Sequence, residues 1–176
     1  MEKILDTQRL SLRILTSSDA PFILELVNSP GWLEFIGDKK IKNEQDAVLY
    51  LQNGPLKSYS EHGFGLWLVE LKTSSTPIGM CGLLRREYLS APDIGFAFLP
   101  AHTGKGYAFE IAKAVRGYAT KSLGIETLQA ITLPHNERSI KLLEKIGLRF
   151  AKRMQAPGDP TELRLYQSNI NSELIN

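Results

Sequence analysis

Apolar and polar residues alternate near the start of the chain, where Leu10, Leu12 and Ile14 share one face of a predicted strand. Two apolar runs joined by the polar turn 72–76 predict a hairpin in the middle of the chain. Similar runs predict further strands towards the end of the chain. The predicted strands are 9–15, 65–71, 77–84, 93–99, 127–133, 149–154 and 163–168.

In two segments the apolar residues recur at every third or fourth position, which predicts helices at 108–123 and 136–146. Helix-capping residues, Ser17, Ser18 and Asp19 in one place and Asn43 with Glu44 in another, predict two more helices at 17–28 and 43–51. The segments 32–41 and 53–64 are predicted as open loops, the first of them because Ser29-Pro30-Gly31 is expected to end a helix. The order of elements is β-α-α-β-β-β-α-β-α-β-β. It predicts an α+β chain of one domain, residues 1–176, built around one mixed sheet.

Composition narrows the class of protein. A formal net charge of only +2 gives no basic surface to argue for nucleic acid, and no segment is long and apolar enough for a signal peptide or a membrane span. A single cysteine, Cys81, excludes an intrachain disulfide framework and fits a reducing compartment, so we expect a cytoplasmic protein. The histidines His62, His102 and His135 do not form a ligand cluster, and no metal site is expected.

The loop between the strand 93–99 and the helix that begins at Ala108 is where ligand chemistry is expected. Gly104 and Gly106 carry no side chains where unpaired amide groups open the helix, so an anion such as a diphosphate can approach the backbone closely. Lys105 adds a cation between them. The alternative is a flexible loop whose glycines only permit a turn.

Two motifs resemble those of the GNAT superfamily of N-acetyltransferases, in particular the branch of ribosomal-protein N-terminal acetyltransferases. The family loop Gln/Arg-x-x-Gly-x-Gly/Ala corresponds to 103–108, with Thr103 in place of the leading Gln or Arg. The second motif, Asn-x-x-Ala/Ser ending in Lys-x-Gly-Phe, corresponds to Asn136-x-x-Ser139 followed by Lys145-Ile146-Gly147-Leu148. The order of predicted elements is also that of the GNAT fold, a mostly antiparallel splayed sheet of about seven strands with four helices.

The resemblance implies that the protein uses acetyl-CoA as an acetyl donor. It implies that the loop holds the diphosphate and that the pantetheine arm lies in the split of the sheet, against the backbone of the strand 93–99. Asn136 is expected to contact the cofactor, although a helix N-cap is the simpler role for this residue. The cofactor-binding residues implied are Phe96, Ala97, Phe98, Thr103, Gly104, Lys105, Gly106, Tyr107, Ala108 and Asn136.

The resemblance also points to catalytic residues. Many relatives have a tyrosine acid seven residues after the motif asparagine, where this chain has Leu143, and Ser139 is the substitute that the ribosomal-protein branch suggests. A hydrogen bond from this serine to its own helix backbone is the alternative. Asp93 is the first candidate for the base that deprotonates the amine, with Asp159 and Glu162 in reserve and a solvated surface carboxylate as the alternative for each.

These implications predict transfer of an acetyl group to a primary amine by direct attack in a ternary complex, with a protein N-terminus as the expected acceptor. A small amine (polyamine, amino acid or aminoglycoside) and a non-catalytic acyl-CoA-binding sensor are the alternatives. The loops 32–41 and 53–64 are expected to set acceptor choice. No nucleic acid or membrane partner is expected, and exposed strand edges are compatible with a homodimer.

Overall fold

The computed structural model describes residues 2–168, which form one eight-stranded sheet in the order β1-β2-β3-β4-β5-β6-β8-β7. Every neighbouring pair is antiparallel except β5 and β6, which are parallel. The strands are β1 Lys3–Asp6, β2 Leu10–Arg13, β3 Leu66–Leu71, β4 Pro77–Leu84, β5 Asp93–Phe98, β6 Gln129–Thr132, β7 Arg149–Met154 and β8 Leu163–Gln167. The mixed α+β sheet is confirmed. The strand that the sequence did not predict is β1, a four-residue edge strand.

Six α-helices flank the sheet within the described residues: α1 Ala20–Val27, α2 Pro30–Phe35, α3 Glu44–Leu51, α4 Lys57–His62, α5 Tyr107–Lys121 and α6 Glu137–Lys145. The four long predicted helices correspond to α1, α3, α5 and α6. Helix α4 occupies most of the predicted open loop 53–64, and that prediction was wrong. Of the predicted open loop 32–41, only 32–35 lie in α2, and 36–41 form neither helix nor strand.

Local chemistry explains both differences. Ser29 is extended and Pro30 occupies the first turn of α2, so the residues expected to end one helix start the next. Pro55 lies in a π-helical turn, Gln52–Leu56, which joins α3 to α4 and accommodates a residue that has no N–H to donate. Gly63, with a φ of 73°, then ends α4 in the left-handed conformation.

Two apolar clusters cover the two faces of the sheet. Along β3, the side chains of Trp67 and Val69 enter one cluster and Leu68 enters the other, as the alternation of a strand requires. Helix α5 packs on the first face with four buried residues, and α1 and α3 pack on the second. Within the described part of the chain, no helix has the length and apolar character needed to cross a bilayer.

A buried ion cluster ties the turn before α1 to the sheet. The Arg13 guanidinium on β2 donates to Asp19 at 2.8 and 3.0 Å and to Glu70 on β3 at 2.9 Å. Burial alone would raise the pKa of Asp19, but hydrogen bonds from Arg13 and Thr16 outweigh it and hold that pKa below its ordinary value. The cluster therefore holds the residues that precede α1 against strands β2 and β3.

Candidate active site

The parallel strands β5 and β6 pair at one position and then separate. Asp93 lies opposite Gln129, and the backbone N–H of Gln129 donates to the Pro92 carbonyl at 2.9 Å. Among the described residues, β5 and β6 form no further pair. Beyond that point Phe96 and Thr132 line a cleft of about 1810 Å³. The split in the sheet therefore leaves an open backbone edge inside the molecule.

Hydrogen bonding to β4 decides which groups of β5 face this split. The Leu99 amide donates to the Ile78 carbonyl at 2.9 Å, and bonded pairs alternate along antiparallel strands, so Ala97 bonds to β4. The amides and carbonyls of Phe96 and Phe98 point the other way, towards the split. Three residues were predicted to offer backbone groups here. The backbone groups of Phe96 and Phe98 do face the cleft, whereas Ala97 lines the cleft but its backbone groups bond to β4.

The predicted anion loop lies at one end of the cleft. Gly104 and Gly106 have φ of 73° and 80°, which only glycine adopts without strain, and a Cβ at Gly104 would meet nothing within 4 Å. The backbone amides of the first three residues of α5, 107–109, have no hydrogen-bond acceptor within the helix. Thr103, Gly104, Gly106, Tyr107 and Ala108 all line the cleft, so the backbone offers a bare cradle to an anion.

Two side chains of this loop differ from expectation. The Thr103 hydroxyl donates to the Pro100 carbonyl at 2.9 Å and so closes its own turn. Lys105 is not among the residues that line the cleft, and its carbonyl accepts a hydrogen bond from Arg9 at 3.0 Å. A side-chain cation from Lys105 in the cleft is therefore not supported, while a contribution from its backbone amide stays a prediction.

Arg9, in the turn between β1 and β2, holds this loop in place. Its Nε donates to Glu110 at 2.6 Å, and its guanidinium carbon lies 4.5 Å from the ring centre of Tyr107. Burial alone would raise the pKa of Glu110, but hydrogen bonds from Thr7 and Arg9 outweigh it and lower that pKa. The sequence analysis missed this contact. The two residues lie 101 positions apart, and no local pattern connects them.

The start of α6 forms another part of the wall. The side-chain carbonyl of Asn136 accepts the Ser139 amide at 3.1 Å, so Asn136 is an N-cap and its amide group is left to make other contacts. Ser139 lines the cleft, and its hydroxyl has no hydrogen-bond partner among residues 2–168. A serine bonded to its own helix backbone is not what the structure has. Leu143 is only 1% exposed and belongs to the core.

The candidate base Asp93 lies at the opposite end of the cleft from the glycine loop. It is 1% exposed, and both carboxylate oxygens accept from Arg86 Nε at 3.1 Å. Burial raises the pKa of Asp93 although Arg86 opposes the rise. The alternative of a solvated surface carboxylate is wrong for this residue. Arg86 is a partner that the sequence analysis did not identify.

The two reserve candidates for the base lie elsewhere. Asp159 accepts from the Thr161 amide at 2.8 Å, and hydrogen bonds from Thr161 lower its pKa. Glu162 lies 3.9 Å from Arg153. Neither carboxylate lines the cleft, so neither is placed to act on a bound amine.

The wall facing the sheet at the Asp93 end comes from α2, α3 and α4. Trp32, Phe35 and Tyr50 line it, so the start of the segment 32–41, expected to set acceptor choice, does line the cleft, but as part of helix α2. The ring of Phe35 lies 5.9 Å from that of His135, just before α6. Burial raises the pKa of Tyr50 to about 12, so its hydroxyl stays protonated at neutral pH.

A family model described as an acetyltransferase (GNAT) domain matches residues 9–149. The chain belongs to the GNAT family. It is an N-acetyltransferase with the GNAT fold, and acetyl-CoA is its acetyl donor, for which the open edge of β5 and the glycine cradle provide a fitting site.

Individual relatives agree with this assignment. The chain is 27% identical over 172 residues to the uncharacterised N-acetyltransferase YoaA of Bacillus subtilis, covering 94% of this chain and 96% of that protein. RimL, a ribosomal α-N-protein acetyltransferase solved with coenzyme A, superposes with a TM-score of 0.82 at 16% identity over 98% of this chain and 100% of that one. A chimera of the spermidine N-acetyltransferase SpeG from Vibrio cholerae gives a TM-score of 0.76 at 18% identity, over 96% and 100%. At these identities RimL and SpeG establish the fold alone.

Proposed function

We propose that this enzyme binds acetyl-CoA with its diphosphate on the loop 103–108 and its pantetheine arm along the open edge of β5. The observation that carries the proposal is the single pairing of β5 with β6 at Asp93, which leaves the Phe96 and Phe98 backbone groups facing a cleft that ends at the glycine loop. The six residues of β5 span about 17 Å. An extended arm that starts at the loop therefore directs the thioester towards the Asp93 end.

In the reaction we propose, the amine nitrogen attacks the thioester carbonyl in a ternary complex. A C–N bond forms, the C–S bond breaks, the amine loses a proton and the thiolate gains one. The Phe96 amide, which faces the split, is the group we propose as donor to the carbonyl oxygen, a contribution of about 3 kcal/mol for one donor of this kind. Most of the acceleration comes from holding the two reactants together.

Asp93 and Ser139 are the proposed proton carriers. Asp93 is nearly inaccessible and paired with Arg86, so it takes the amine proton through a water molecule rather than by direct contact. Ser139 has an unengaged hydroxyl in the wall of the cleft and gives a proton to the leaving thiolate. Leu143 cannot supply one.

A protein N-terminus is the acceptor we propose, with a small amine as the alternative. The wording Gly-Lys-Gly-Tyr-Ala in the loop resembles the ribosomal-protein branch, and RimL shares the fold. SpeG shares the same fold, so the comparison alone does not choose between the two acceptors. We place the enzyme in the cytoplasm, in keeping with a buried, unpaired Cys81, and propose that its exposed edge strands permit a homodimer.

Release of coenzyme A in a panel of N-terminal peptides and small amines tests this function. We expect acetyl-CoA to bind and at least one class of primary amine to release thiol above the rate of hydrolysis. Tight binding without turnover across the whole panel contradicts an enzyme and favours an acyl-CoA sensor.

A further inference from the structure

We propose that the acceptor carries an anionic group, a carboxylate, close to its reacting amine. The proposal rests on the proposed function, because it concerns the second substrate of the same cleft. The acceptor end is the part of the cleft remote from the glycine loop, lined by α2, α3, α4 and the residues that follow β4. Its charged side chains are Lys39, Lys57, Glu61, Arg85, Arg86 and Asp93, and His62 lies beside Glu61.

Both carboxylates at the acceptor end already have cationic partners. Glu61 lies 3.6 Å from Lys57 Nζ, one turn earlier on α4, and Asp93 is held by Arg86. An additional ammonium group on an acceptor would therefore compete with Lys57 or with Arg86 for these carboxylates. A polyamine brings at least one such group besides the amine that reacts, so the acceptor end favours it less than an acceptor without a second positive charge.

Two cations at the same end have no partner in the part of the chain that the structure describes. Lys39 follows α2 and Arg85 follows β4, and neither forms an ion pair or a side-chain hydrogen bond there. Asp38, beside Lys39, is occupied by Lys40 at 2.7 Å and does not line the cleft. The acceptor end therefore presents an excess of unpaired positive charge.

The chemistry of these side chains selects a carboxylate. A guanidinium presents N–H groups in a fork that matches a carboxylate, and the neutral Tyr50 hydroxyl in the same wall is a further donor. The source of the carboxylate is either an acidic side chain next to a peptide N-terminus or the α-carboxylate of a free amino acid. The same pair of cations would attract both.

Matched acceptors separate the carboxylate from other properties of the substrate. We would measure kcat/KM for coenzyme A release with the amidated tripeptides Ser-Asp-Ala and Ser-Asn-Ala, and with alanine and alaninamide. The carboxylate member of at least one pair is expected to be about tenfold better, which is the usual scale for a charged hydrogen bond. A preference within the peptides alone identifies an acidic N-terminus, and a preference within the alanine pair identifies a free amino acid.

Variants assign the preference to the two cations. Arg85→Gln and Lys39→Gln, singly and together, are expected to bring the ratio of kcat/KM between the carboxylate acceptor and its matched amide towards one. Lys152→Gln removes an exposed cation of β7 that does not line the cleft and should leave the ratio unchanged. Cofactor affinity should be the same in all of these variants.

Two different results overturn two different claims. If amines are acetylated with no gain from a carboxylate, or if spermidine is the best acceptor, the anionic acceptor is wrong and the acetyltransferase stands. If no acceptor releases coenzyme A although acetyl-CoA binds, the proposed function fails first.

Discussion

Side chains in the cleft divide into those already occupied by the fold and those still free to act. The side-chain carbonyl of Asn136 caps α6, and the Thr103 hydroxyl donates a hydrogen bond within its own turn. The Ser139 hydroxyl has no such engagement among residues 2–168, and we propose a chemical role for it. These differences depend on rotamers, and a sequence motif specifies only residue types.

Ser139→Ala should lower kcat about tenfold or more while the affinity for acetyl-CoA changes less than twofold, because a general acid acts only in the reaction step. Isothermal titration and steady-state kinetics on the same preparation give both numbers. An unchanged kcat would mean that water protonates the thiolate.

Asp93→Asn should lower kcat and remove the acidic limb of its pH profile. As the proposed base, Asp93 would act when deprotonated, and burial raises its pKa, so that limb in the unaltered enzyme should lie above the ordinary value of 3.8. The profile of kcat against pH, with circular dichroism as the check on folding, measures this. A variant that keeps both rate and limb would exclude Asp93 as the base.

Between secondary-structure elements, contacts distant in sequence support the cofactor loop. Arg9 joins the β1–β2 turn to the first turn of α5, and Arg13 joins β2 to the turn before α1. Both arginines lie within 9–15, where the apolar pattern predicts a strand and says nothing of ionic partners. The short helices α2 and α4 were missed for a related reason, since proline and glycine mark helix starts and π turns as well as loops.

Arg9→Ala should raise KM for acetyl-CoA several-fold and change kcat little, because the loop proposed to bind the diphosphate loses the hydrogen bonds that Arg9 makes to Lys105 and Glu110. Lys3→Ala removes another cation of the same hairpin, paired with Asp6 at 3.0 Å and exposed, and serves as the matched control. Equal KM values for Arg9→Ala and the unaltered enzyme would show that the loop is ordered without the arginine.

Asp19→Asn should lower the free energy of unfolding by about 3 kcal/mol near neutral pH, because it breaks a buried ion pair. The pKa of Asp19 is lowered by folding, so its stabilising effect is complete above 3.8 and is lost as the pH falls through the lower folded value. Urea unfolding of both proteins at several pH values should show the difference shrinking below 3.8. A difference independent of pH would exclude the ionised pair as its cause.

The whole molecule is organised by the place where β5 and β6 separate. The order of strands and helices could be predicted from the sequence, because the apolar periods of β3, β4, α5 and α6 are regular. The resemblance to GNAT motifs implied the split. The buried Asp93–Arg86 pair that closes one end of the split was not predicted. It forms across the short β4–β5 connection, and the apolar pattern of the two strands does not specify the conformation of that connection.

Acetyl-CoA titration into Gly106→Glu and Gly158→Glu tests the central claim, that the bare loop at the start of α5 binds the diphosphate. Both glycines have positive φ, 80° and 76°, so both substitutions carry a similar strain of about 1–2 kcal/mol, but Gly158 lies in the β7–β8 turn away from the cleft. We predict that the Gly106 variant remains folded and loses affinity at least about 100-fold, while the Gly158 variant binds like the unaltered protein. Unchanged affinity in the folded Gly106 variant would contradict the account.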